Sequence, residues 1–181
     1  MTTTPLSGRR VAVLATDGFE YVELTGPKQL LEDAGAKVVV IAPGHAAHIK
    51  GWSGSDWGGT VKVDMDLDDA SVDDFDALVL PGGVINPDKL RLKPEAIAFI
   101  RAFGATGKPL AAICHGPWTL IDAGLVKGRQ LTSWPSLRTD LENAGAHWQD
   151  REVVTDERLI TSRNPNDIPA FAHALIDKLA A

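Results

Sequence analysis

A chain of 181 residues with a net charge of −6 is long enough to bury one α/β core without a disulfide or structural metal. Its single cysteine, Cys114, excludes an internal disulfide and points to a reducing compartment, read here as the cytoplasm. Scattered Lys and Arg argue against a nucleic-acid footprint or a polybasic membrane patch, the first residues lack the apolar core of a signal peptide, and the longest apolar runs fall far short of the roughly 20 residues that cross a bilayer.

The run 10–16 is almost wholly apolar and rich in Val, as a strand covered on both faces should be. Asp17-Gly18 ends it. Leu24, Leu30, Leu31 and Ala34 then set a helical spacing that Gly35 closes, and 37–42 repeats the buried-strand pattern. This is a βαβ unit, whose crossover implies parallel strands. Gly51, Gly54, Gly58 and Gly59, with Trp52 and Trp57 between them, mark 43–69 as a loop with a small strand pair. Residues 75–80 form the next buried strand, stopped by Pro81-Gly82-Gly83. A helix over 94–103 and a strand over 109–113 follow. Beyond Cys114 the pattern predicts a helix over 117–123, a strand over 131–133, a helix over 136–144, two short strands over 152–155 and 159–162, and a closing helix over 168–179. With no repeat or linker, the whole of 1–181 reads as one domain. The alternation specifies a flavodoxin-like, doubly wound, mostly parallel sheet sandwiched by helices.

Cys114 falls where a buried strand ends and a helix begins, followed by His115, Gly116 and Pro117. That order is similar to a nucleophile elbow, which lifts a reactive atom above the carboxyl edge of the sheet. The N–H groups of the turn and of Gly82 and Gly83 are candidate oxyanion donors, and the positive end of the helix should lower the thiol's pKa. A buried core cysteine is the bland alternative, and the neighbouring residues weigh against it. No Walker or dinucleotide glycine pattern is present, and the five histidines show no metal-ligand spacing, so neither cofactor nor metal is expected. Trp52, Trp57, Trp118 and Trp134 are candidate pocket walls, although packing is the commoner use of such residues.

Ala-Ala-Ile-Cys-His-Gly-Pro at 111–117 resembles the signature of the PfpI-type protease and deglycase family, within the class I glutamine amidotransferase-like superfamily. Asp-Gly-Phe-Glu-Tyr-Val-Glu-Leu at 17–24, the strand and Gly-Gly turn at 75–83, Thr-Ser-Trp at 132–134 and Thr-Ser-Arg-Asn-Pro at 161–165 match further family landmarks in order. The resemblance implies Cys114 as nucleophile, His115 as its partner and Glu20 as the acid against the sulfur. It implies that Asp88 of a neighbouring subunit completes a triad, with Asp standing where the archetype has Glu, and hence a homo-oligomer, dimer or hexamer. The implied activity is a stress-protection hydrolase acting on small carbonyl compounds or their adducts, as a glyoxalase or deglycase. An intracellular cysteine peptidase acting on peptides is the first alternative. A non-catalytic redox sensor or chaperone with an oxidisable Cys114 is the second.

Overall fold

In the computed structural model, which describes residues 4–181, the first strand β1 (Arg10–Leu14) already shows the logic of the fold. Its side chains alternate between two buried clusters, Ala12 and Leu14 on one face and Val11 and Val13 on the other. A strand covered on both sides has no polar face, hence the unbroken apolar run. The loop after β1 carries a two-residue strand β2 (Phe19–Glu20) and helix α1 (Tyr21–Asp33). Gly35, at φ +99°, ends α1 by letting Ala36 N–H reach back to Leu31 O at 3.0 Å and its own N–H to Glu32 O at 2.9 Å.

Strand β3 (Lys37–Ala42) returns parallel to β1. The tryptophan-bearing segment forms an antiparallel hairpin, β4 (His48–Ser53) and β5 (Asp56–Lys62), with β4 also parallel to β2. Strand β6 (Met65–Asp66) closes one sheet edge, and β7 (Ala77–Leu80) crosses back to the other side of β1. No element was expected between Gly83 and the helix over 94–103, yet 85–91 is helical, forming α2 (Ile85–Arg91). Pro87 near its start needs no helical N–H, so it is compatible with a first turn.

Helix α3 (Pro94–Ala105) buries Ile97, Ile100 and Phe103 and leads to β8 (Leu110–Ile113). Beyond the elbow, α4 (Trp118–Asp122) is five residues long. The pair β9 (Gln130–Leu131) and β10 (His147–Trp148) forms a separate parallel sheet around α5 (Arg138–Asn143). Strands β11 (Val153–Asp156) and β12 (Leu159–Ser162) make the antiparallel edge, and α6 (Ile168–Ala180) ends the chain.

The seven-stranded order is β11-β12-β8-β7-β1-β3-β6, parallel except for β11. Its five central parallel strands follow the flavodoxin-like pattern. Helices α1 and α6 supply Leu24, Leu31, Phe171 and Leu175 to one core, and α3 and α4 supply Ile100, Phe103 and Leu120 to the other. Chain direction across the sheet reverses between β1 and β7, so their following loops diverge and leave a crevice at the carboxyl edge. None of the helices of the described residues is long and apolar enough to cross a membrane.

Candidate active site

That crevice is a cavity of about 480 Å³, and the loops after β1, β7 and β8 all reach it. Cys114 lies on its wall, one residue past β8, with φ +62°. A non-glycine residue in the left-handed region costs on the order of 1–3 kcal/mol, and such strain persists only where the surroundings enforce it. Here they do. Cys114 N–H donates to Ser162 O at 3.0 Å and Cys114 O accepts from Trp134 N–H at 2.8 Å, so β12 and the loop before α5 hold the peptide on both sides. Gly116 completes the turn, since a Cβ there would lie 2.5 Å from Leu80 O and 2.9 Å from Ile113 O.

Around the sulfur the structure corrects one sequence assignment. The carboxyl against Cys114 is that of Glu23, three residues beyond the expected Glu20. Glu23 is fully buried against the thiol; one carboxyl oxygen accepts from Gly82 N–H at 3.0 Å, and the other, Oε1, has no hydrogen-bond partner among the described residues. The reason is helical geometry. Glu20 precedes α1 and lies at the cavity margin, where it accepts from Gly54 N–H at 3.5 Å, whereas Glu23 is in the first turn of α1 and turns inward. Burial raises the Glu20 carboxyl above its ordinary value; it raises Glu23 much further, to about 8. At neutral pH Glu23 is therefore a carboxylic acid with a proton to give.

The thiol itself is raised, first by burial and then by Glu23, so the expected lowering by the elbow does not occur. Burial and the neighbouring acid outweigh what the five-residue α4, starting four residues past the sulfur, can offer. The backbone N–H groups of Gly83 and His115 do point at Cys114 and act in the opposite sense. Gly82, also expected to be an oxyanion donor, has its N–H on Glu23 instead. Its own requirement for glycine is steric, since a Cβ there would lie 2.6 Å from Cys114 Cβ.

His115 Nδ1 is 3.2 Å from Cys114 Sγ. Its ring stacks on Trp134 (centroids 5.9 Å apart, planes 22°) and meets Trp118 edge-on at 5.5 Å. Burial holds its pKa down to about 4, so the imidazole is neutral at pH 7 and able to accept a proton. Among the described residues no carboxylate hydrogen-bonds this ring. Asp88 is exposed in the first turn of α2 and does not line the cavity.

Sequence reasoning missed Asn86. Fully buried, it accepts from Thr16 N–H at 2.8 Å and donates to Pro81 O at 3.1 Å and Gly82 O at 3.2 Å. It thereby fastens the loop after β1 to the turn after β7. The only signal was an Asn three residues past a Gly-Gly turn, and its burial comes from tertiary packing alone. Of the four candidate tryptophans, Trp52 and Trp134 line the cavity, Trp57 packs on Trp52 with centroids 5.4 Å apart, and Trp118 supports His115. Away from the cavity, His45, Asp66 and Asp68 bring ligand-type atoms within 4.8 Å of one another, a proximity that residue spacing did not disclose. Both Asp66 oxygens there accept backbone N–H groups, from His45 and Asp68, as loop fastenings do.

Comparison with known proteins places this geometry. The model of the DJ-1/PfpI family matches residues 9–178. General stress protein 18 of Bacillus subtilis is 43% identical over 175 residues, covering 94% of this chain and 99% of that protein. Protein/nucleic acid deglycase 2 of Escherichia coli is 41% identical over 174 residues, covering 96% and 99%. The crystal structure of Drosophila melanogaster DJ-1beta superposes with a TM-score of 0.87 at 31% identity, covering 95% of this chain and 90% of that one. The chain belongs to the DJ-1/PfpI family.

Proposed function

We propose that the protein is a cysteine-dependent enzyme that converts small reactive dicarbonyls, or their adducts, to hydroxy acids in the manner of a glyoxalase or deglycase, and so protects the cytoplasm under stress. One observation carries this reading: Cys114 Sγ faces a small cavity between an acid that holds its proton and an imidazole that lacks one. The name deglycase borne by a relative supports it at the level of the family. An extended peptide would need a groove, whereas a compact dicarbonyl fits a cavity of about 480 Å³, so the peptidase reading is secondary.

On methylglyoxal the chemistry is redox-neutral and uses one water. His115 Nδ1 takes the thiol proton as sulfur bonds to the aldehyde carbon, and the carbonyl π pair moves to oxygen beside the N–H groups of Gly83 and His115. Glu23 protonates that oxygen, giving a hemithioacetal. The resulting Glu23 carboxylate removes the remaining aldehyde hydrogen as a proton, and the electron pair passes through an enediol to the ketone carbon, which is then protonated. The product is an α-hydroxy thioester. Water adds to it, the C–S bond breaks, and sulfur recovers its proton from His115, releasing lactate.

We also propose that the protein works as a homo-oligomer in which Asp88 of a second copy orients His115. Val84 and Leu92, 55% and 81% exposed beside and after α2, make that surface apolar enough to pair.

The test is product acid formed from methylglyoxal by wild type and by Cys114→Ser, with a fluorogenic peptide in parallel. Cysteine-dependent turnover of the aldehyde is expected. Turnover of the peptide alone would move the peptidase reading to the front. A Cys114→Ser variant with full activity, or wild type inert on both, would end the catalytic claim.

A further inference from the structure

The cavity walls carry one sign of charge. Glu20 and Glu23 are its two carboxyl groups, His115 is neutral, and among the described residues no Lys or Arg lines it. The remaining wall is apolar or aromatic, chiefly Trp52, Val84, Ile85 and Trp134. The cations of the framing segments are held elsewhere. Lys50 Nζ sits 5.1 Å over the ring of Trp57, and Arg163 is bound to Asp167 at 2.9 Å and Asp150 at 2.8 Å. Glu23 is turned inward and engaged by Gly82 N–H at 3.0 Å, so the carboxyl facing an incoming molecule is that of the half-buried Glu20.

We propose that this cavity selects its substrates by charge, favouring carbonyl groups carried by cationic amino or guanidino compounds over those bearing a carboxylate, with Glu20 as the discriminating residue. The inference rests on the dicarbonyl reading above and narrows its substrate class. A substrate carboxylate entering here would lose water and find no cation to replace it. A substrate cation would find the Glu20 carboxylate at the margin and the rings of two tryptophans, each attractive to a positive charge. Methylglyoxal, being neutral, is neither favoured nor rejected. Glu20 is distinct in this from Glu23, whose partner is the sulfur.

Three arylglyoxals sharing one reactive centre test the proposal: phenylglyoxal, and its para-trimethylammoniomethyl and para-carboxymethyl derivatives, in which a methylene insulates the ring from the charge. Wild type should use the cationic compound with a kcat/KM roughly tenfold above the anionic one, mostly through KM. In Glu20→Gln that ratio should fall toward one, and Glu20→Asp should restore part of it. Salt should narrow the ratio in wild type and leave the Gln variant little changed. Equal values for the two charged compounds in wild type, or an unchanged ratio in Glu20→Gln, overturn the proposal. If even phenylglyoxal is not turned over, it is the dicarbonyl reading that fails. Charge selection is then read directly from quenching of tryptophan fluorescence by benzyltrimethylammonium and by phenylacetate. Tighter binding of the cation, weakened in Glu20→Gln, supports selection, and equal binding refutes it.

Discussion

Replacing Glu23 by Gln should change how stability depends on pH, and the size of the change follows from the site. In the fold this carboxyl ionises near 8, whereas in the unfolded chain it ionises near its ordinary 4.5. Below 4.5 both states are protonated and the residue contributes fully. As pH rises past 4.5 the unfolded chain releases the proton and the folded chain does not, so folding weakens until pH passes 8. Each pH step in that window costs about 1.4 kcal/mol, or about 4 kcal/mol in all. Gln is nearly isosteric, can accept the Gly82 N–H and does not titrate. At pH 4.5 the variant should therefore lie within about 1 kcal/mol of wild type, as expected when one hydrogen-bond partner is exchanged for a similar one. At pH 8 it should be the more stable of the two by roughly 3–4 kcal/mol. Urea denaturation at fixed protein concentration, every half pH step from 4.5 to 8, measures the difference. Titrations common to both proteins cancel, and the thiol, raised above its ordinary value, stays protonated across the range. Parallel stability curves for the two proteins would refute the claim that a buried, protonated Glu23 sits beside the sulfur.

Three further outcomes check other parts of the site. His115, held down to about 4, should keep a neutral ring at pH 6 in NMR titration; because its depressed ionisation stabilises the fold only above the ordinary 6.5, stability should fall as pH drops from 6.5 toward 4. Gly82→Ala places a Cβ 2.6 Å from Cys114 Cβ and 2.4 Å from Glu23 Oε2, so it should destabilise by roughly 1–3 kcal/mol in thermal unfolding and abolish turnover. Trp134→Ala removes the ring stacked on His115 while leaving Cys114 in place, and should lower kcat by about tenfold with little change in KM, since a displaced base costs rate more than binding.

Much of the fold was legible because burial on both faces leaves a plain mark in sequence. The strands at 10–14, 37–42, 77–80 and 110–113 announced themselves as short apolar runs, and Gly35 ended α1 where its position said it should. Helix α2 was not legible, because a Pro-containing segment after Gly-Gly has the composition of a turn and only tertiary packing draws Asn86, Pro87 and Leu90 inward. Cys114 and His115 could be picked out from their neighbours, and the structure brings them within 3.2 Å. The choice between Glu20 and Glu23 could not. Both lie in the same motif, and which one faces the sulfur depends on where α1 begins, a matter of one helical turn.

What the sequence determined by itself was the order of the buried strands, most of the helices between them and the strand end that presents Cys114, because hydrophobic period and turn residues act locally. Ionisation was decided only by the tertiary structure. A carboxyl that keeps its proton, an imidazole that stays neutral and a thiol raised rather than lowered all follow from groups distant in the chain excluding water together around one sulfur.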